Sequence, residues 1–95
     1  MEKNNFKTDV MFRKEKDNTI LAVFPYDIAD QEGNIMGYAH LGQHTAVCWD
    51  FVLFDTKPAN EFDDLKKELE SIGYNLNIVK RRNYRRFINE LNKVR

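Results

Sequence analysis

Val10 and Phe12 alternate with Met11 and Arg13, a period of two that predicts a short strand near the start of the chain. Residues 15–19 then read as a turn, centred on Asp17-Asn18, because both residue types tolerate the left-handed backbone of a tight hairpin. Residues 20–24 are apolar at every position, as in a strand covered on both faces. Pro25 is expected to end that strand, and residues 26–34 to form a polar excursion turning at Gly33-Asn34. A third strand is predicted over residues 35–40.

Residues 42–45 interrupt the apolar pattern. Beyond them Val47, Trp49, Phe51 and Leu53 would line one face of a strand, and Cys48, Asp50, Val52 and Phe54 the other; this reads as the strongest strand in the chain. Its aromatic face is expected to meet a helix. Phe62, Leu65, Leu69 and Ile72 recur at helical spacing, with Glu61, Asp63 and Asp64 at the positive N-terminal end and Gly73 as the residue just past the C-terminus. Tyr74, Leu76 and Ile78 alternate with Asn75, Asn77 and Val79 in a last strand, which the intervening helix allows to be parallel to the strand that begins at Val47. Tyr84, Phe87, Ile88, Leu91 and Val94 form the stripe of a C-terminal helix. The order is ββ-ββ-α-β-α: an α+β domain with a small, mostly antiparallel sheet of four to five strands and two helices.

Length limits this material to one domain over residues 1–95, with 1–7 frayed and 80–95 a basic C-terminal helix region. Hydrophobic residues make up 42% and charged residues 32%, an ordinary globular balance. Cys48 is the single cysteine, so packing rather than an intramolecular disulfide must hold the core, and a cytoplasmic setting fits best. No apolar run is long enough for a signal peptide or a membrane span, so no membrane partner is expected. The lone Ser71 has no neighbouring histidine, and the four glycines make neither a dinucleotide fingerprint nor a phosphate loop. Serine hydrolase and common nucleotide chemistry are thereby disfavoured, and no cofactor is expected.

Three stretches resemble small uncharacterised proteins of phages and mobile elements of gut Bacteroidetes: residues 12–25, from Phe12 through Asn18-Thr19 to Pro25; His40-Leu41-Gly42-Gln43-His44; and Leu69-Glu70-Ser71-Ile72-Gly73-Tyr74. The likeness extends over about residues 8–82, including Lys57-Pro58-Ala59 ahead of the helix, and omits the last dozen residues. It implies a bacterial cytoplasm, or a virus within it, and brings no activity with it.

His40, His44, Cys48 and Asp50 are the weak metal or catalytic candidates, since imidazole and thiolate are good zinc ligands at a spacing of four. Gly37 and Gly42 oppose one continuous helix, and no CxxC or HExxH pattern accompanies the set, so hydrogen-bonded polar side chains are the favoured reading. Residues 30–35 share the middle of a calcium loop. Placing Gly33 at the sixth position puts Ile28 and Ala39 where carboxylates are required, which excludes that reading.

Charge separates the chain more sharply. Net charge is zero, yet residues 80–95 carry +6 and residues 1–79 carry −6. Lys80, Arg81, Arg82, Arg85, Arg86, Asn89 and Lys93 are therefore the candidate contact residues, with Arg85, Arg86, Asn89 and Lys93 on one face of the helix. Such side chains suit phosphates and base edges, or an acidic protein surface. The competing reading is a solvated outer face, with basic residues favoured towards the negative C-terminal end of the helix. The expectation is a small non-enzymatic accessory protein that binds nucleic acid or an acidic protein through its C-terminal helix. The alternatives are an interaction or homo-oligomerisation module using the apolar stripe of that helix and, behind it, an enzyme using the His/Cys/Asp set.

Overall fold

Strand β1 (Thr8–Glu15) is flanked on both sides, because two short strands divide its outer edge between them. On its inner edge lies β2 (Ile20–Ile28), antiparallel, with Met11 opposite Val23 and Lys14 opposite Ile20. The antiparallel strands β3 (Ile35–Ala39) and β4 (Gln43–Val47) continue the sheet beyond β2. On the outer edge β5 (Thr56–Pro58) runs antiparallel to residues 13–15, and β6 (Leu76–Ile78) runs parallel to residues 8–10. The structure, a computed structural model, describes residues 7–39 and 43–95. Among these are six strands and three helices, α1 (Trp49–Asp55), α2 (Asp63–Ser71) and α3 (Tyr84–Val94).

Alternation along the strands sends two apolar sets to opposite faces. Val10, Phe12, Ala22, Phe24 and Tyr38 pack with Leu65 and Leu69 of α2, and the Phe12 and Phe62 rings stack at 4.3 Å. Met11, Leu21, Val23, Ile35 and Val47 pack with Val52 of α1 and Phe87 and Leu91 of α3. The result is a three-layer α+β domain with a mostly antiparallel sheet. No helix among the described residues is long and apolar enough to cross a membrane.

The expected hairpin forms around Asn18, which takes φ +71°, while the Asp17 carboxylate accepts the Thr19 N–H at 3.0 Å. Two expectations are corrected. Residues 49–55, read as the strongest strand, are helical. Val47 already pairs with Ile35, the first residue of β3, so the chain beyond has no neighbouring backbone to bond and must satisfy its own N–H and C=O groups by coiling. A nearly continuous apolar run has no period to distinguish the two outcomes. As a helix it buries Val52, half-buries Trp49 and Phe51, and leaves Leu53 and Phe54 outside. Among the described residues there are thus three helices rather than two, and β4, which takes in most of the expected interruption at 42–45, together with β5 replaces the lost strand and brings the strands to six.

Pro25 does not end β2. It sits in a bulge: Phe24 faces Met36 and Ile28 faces Ile35, so residues 25–27 lack opposite numbers. The bulge reverses which side chains face which layer. Leu21 and Val23 precede it on the α1/α3 face; Tyr26 and Ile28 follow on that same face. The turn after β2 is closed by Asp30, whose carboxylate accepts the N–H groups of Glu32 and Asn34 and the Asn34 side-chain amide. The Asn34 bond and these backbone N–H groups hold the Asp30 carboxyl below its ordinary range.

α2 ends as its sequence predicts. Gly73 takes φ +110°, its N–H reaches the Glu70 carbonyl at 3.2 Å, and the Tyr74 N–H reaches the Leu69 carbonyl at 3.1 Å. This paired closure brings Tyr74 back onto the sheet, where its ring stacks on Phe24 at 5.1 Å. Gly73→Ala is expected to cost about 1–2 kcal/mol through backbone strain alone, since no atom lies within 4 Å of the added methyl. Urea unfolding should show a lower midpoint at an unchanged slope; an unchanged midpoint would mean that the turn does not require this conformation.

Candidate nucleic-acid interface

The C-terminal helix begins where Asn83 takes an extended backbone and its side chain accepts the Arg86 N–H at 3.0 Å. Tyr26 fixes the same residue from the sheet, its hydroxyl accepting the Asn83 N–H at 2.7 Å. Phe87 and Leu91 then bury against the sheet, and Ile88 half-buries. Tyr84, expected on this buried stripe, is 69% exposed, and Val94 is also exposed.

The seven candidate contact residues divide sharply. Arg82 is packed inside: its guanidinium lies 3.9 Å from the centroid of the Trp49 ring and 3.7 Å from that of Phe87, so it joins α1 to α3 as a stacked cation. Burial pushes its pKa down, opposed by the phenols of Tyr26 and Tyr84, and its Nη1 is buried without a hydrogen-bond partner. Arg86 is held as well. Its Nη1 donates to Asp9 at 2.8 Å and its guanidinium lies 4.0 Å from the centre of the Tyr26 ring, while Asn77 donates to the other Asp9 oxygen at 2.9 Å. Lys93 pairs with Glu90 one turn away on α3, at 2.9 Å.

Lys80, Arg81 and Arg85 differ from these three. They are exposed, and among the described residues no carboxylate pairs with them. They occupy the connection from β6 and the first turn of α3, together with Tyr84, and that turn contains no acidic residue. Asn89 is exposed on the following turn. The outer-face reading expected basic residues at the negative end of the helix; most of them stand at its positive end, where backbone N–H groups add to their field. Such an arrangement attracts anions and does little for the stability of the helix itself.

The metal and catalytic candidates do not lie on this surface. His40 falls outside the described residues. His44, on β4, is directly opposite Tyr38, meets that ring edge-on at 4.8 Å and hydrogen-bonds the Tyr74 hydroxyl through Nε2 at 3.0 Å. That is the α2 face of the sheet. Cys48 is an exposed free thiol at the N-cap of α1, and Asp50 lies in the first turn of α1, on the other face. Among the described residues no three His, Cys, Asp or Glu side chains gather as metal ligands.

A polar group around His44 escaped sequence reasoning. The Tyr38 hydroxyl donates to Glu68 at 2.5 Å, and that bond, with burial, holds the Tyr38 phenol above its ordinary pKa. Burial raises the Asp27 carboxyl, with His44 opposing, and burial and then Asp27 raise the Tyr74 phenol. The inversion at Pro25 turns Asp27 this way, and a bulge has no periodic signature that would have revealed it. An open surface pocket of about 730 Å3 is lined by Thr19, Ile20, Glu61, Asp63, Asp64 and Leu65, and none of these histidine, tyrosine or C-terminal arginine side chains borders it.

Comparison with protein-family models, with curated proteins and with solved structures yields no match for this chain. The functional reading therefore rests on the chain's own residues.

Proposed function

We propose that this protein is a small non-enzymatic binding module that engages nucleic acid through the exposed cations around the start of α3. One observation carries the reading. Lys80, Arg81 and Arg85 remain unpaired among the described residues at the positive end of a helix, while Arg82, Arg86 and Lys93 of the same segment are engaged within the fold. Three like charges and a helix dipole raise the local potential in the free protein, and a polyanion relieves it. The apolar stripe of α3 favours this over an interaction module, because Phe87 and Leu91 are already covered by the chain's own sheet. A cytoplasmic setting belongs to the same reading, with Cys48 as the only cysteine.

Binding of a labelled 12-nucleotide DNA is expected at low salt and should weaken as salt rises, with a log–log slope of about −2 to −3 for three phosphate contacts. Changing Lys80, Arg81 and Arg85 together to alanine should weaken binding more than about tenfold and flatten that slope, with stability moving by less than about 0.5 kcal/mol. Fluorescence anisotropy and thermal unfolding measure the two quantities. No binding at about 20 mM salt, or binding indifferent to salt, overturns the reading.

A further inference from the structure

We propose that Tyr84 is a base-stacking platform, and hence that the preferred ligand is single-stranded nucleic acid, an inference that presupposes the nucleic-acid reading of the same surface. Tyr84 is among the most exposed aromatics described, and it is the one that stands in the cationic segment, between Arg81 and Arg85 in the chain. The backbone that carries it is anchored to the sheet, the Asn83 N–H donating to the Tyr26 hydroxyl. Asn83 caps the turn that carries it, and the Phe87 ring, buried three residues later, lies 6.5 Å away at a tilt of 40°. A tyrosine held this way loses little conformational freedom when a ligand ring is laid on it.

The geometry of nucleic acid selects the strand state. In a duplex every internal base has both faces covered by its neighbours, so the side chains met there are those that reach phosphates and groove edges. An unpaired base offers its face, and an aromatic flanked by arginines takes that face while the cations hold the adjoining phosphates. Lys80, Arg81 and Arg85, which pair with no carboxylate among the described residues, are the long side chains suited to those phosphates.

The full-length chain is titrated by anisotropy against labelled oligothymidylate of 12 nucleotides and against a 12-base-pair duplex at the same salt. The single strand should bind more tightly. Tyr84→Ala should weaken single-strand binding about 5- to 150-fold and leave the salt slope unchanged, because it removes a stack and no charge. Tyr84→Phe should bind like the parent, since the ring and not the hydroxyl is used. Thermal unfolding verifies that both variants fold.

A Tyr84→Ala affinity within twofold of the parent, or a duplex bound as tightly as the single strand, overturns the stacking inference while salt-dependent binding would leave the broader reading standing. Loss of binding to both probes at low salt overturns both. Polyglutamate displacing the oligonucleotide at equal charge concentration overturns both in favour of an acidic protein surface.

Discussion

Phe24→Ala is expected to destabilise the domain by about 3–5 kcal/mol, the cost of emptying a fully buried aromatic site that its surroundings fill only in part. Phe24 is 1% exposed, lies on the α2 face of the sheet immediately before the Pro25 bulge, and stacks on Tyr74. The void would open between the central strand and the loop that α2 returns to the sheet. Single domains of this size commonly have only about 5–15 kcal/mol in total, so the variant should melt roughly 15–30 °C lower. Phe54→Ala is the control. Phe54 is 77% exposed, and the same truncation there should move stability by less than about 0.5 kcal/mol. Urea unfolding of the pair distinguishes the two sites, and equal losses would show that the packing described for Phe24 is wrong.

Arg13→Ala should cost about 2–3 kcal/mol for a different reason. Arg13 projects from β1 to the end of α1, where its Nε donates to Thr56 Oγ1 at 2.9 Å and its Nη2 to the carbonyls of Val52 and Thr56 at 3.0 Å each. Those carbonyls belong to a helix terminus that has no further turn to accept from, and the guanidinium places positive charge at its negative end. α1 has seven residues, too few to persist without such support. Truncation leaves the Thr56 carbonyl without this donor and removes charge-assisted bonds. Burial depresses the Arg13 pKa, but an arginine stays protonated at any ordinary pH, so the cap should not titrate. Arg13→Lys should recover less than half of the loss, because one ammonium cannot span the hydroxyl and two carbonyls as the planar fork does. Amide exchange at Val52 should quicken in both variants before that of β2 changes; full protection in the lysine variant would refute the role of the fork.

Much of the fold was legible because it depends on short-range spacing. Asp17-Asn18 marked the first hairpin, Leu65 and Leu69 with Gly73 marked α2 and its end, and Phe87 and Leu91 marked the buried side of α3. The unequal distribution of charge was equally plain. The candidate surface was legible as a segment and not as a set of side chains. Arg82 and Arg86 carry the same charge as Arg81 and Arg85 but lie within reach of rings from α1 and β2 and of a carboxylate from β1, all distant in sequence. Nothing in the spacing of residues 80–86 distinguishes the arginines that stack from those that stay in water.

Local periodicity, helix punctuation and charge by themselves determined that this chain is an α+β domain with an acidic body and a basic last helix. The tertiary structure alone decided that residues 49–55 coil, that β6 enters parallel beside β1, that Pro25 turns Asp27 towards His44, and that Tyr84 stands outside with Lys80, Arg81 and Arg85. A backbone group forms a strand only where a neighbouring strand still has bonds to give, and a side chain is buried only where another element arrives to cover it. Both conditions are set by residues far away along the chain.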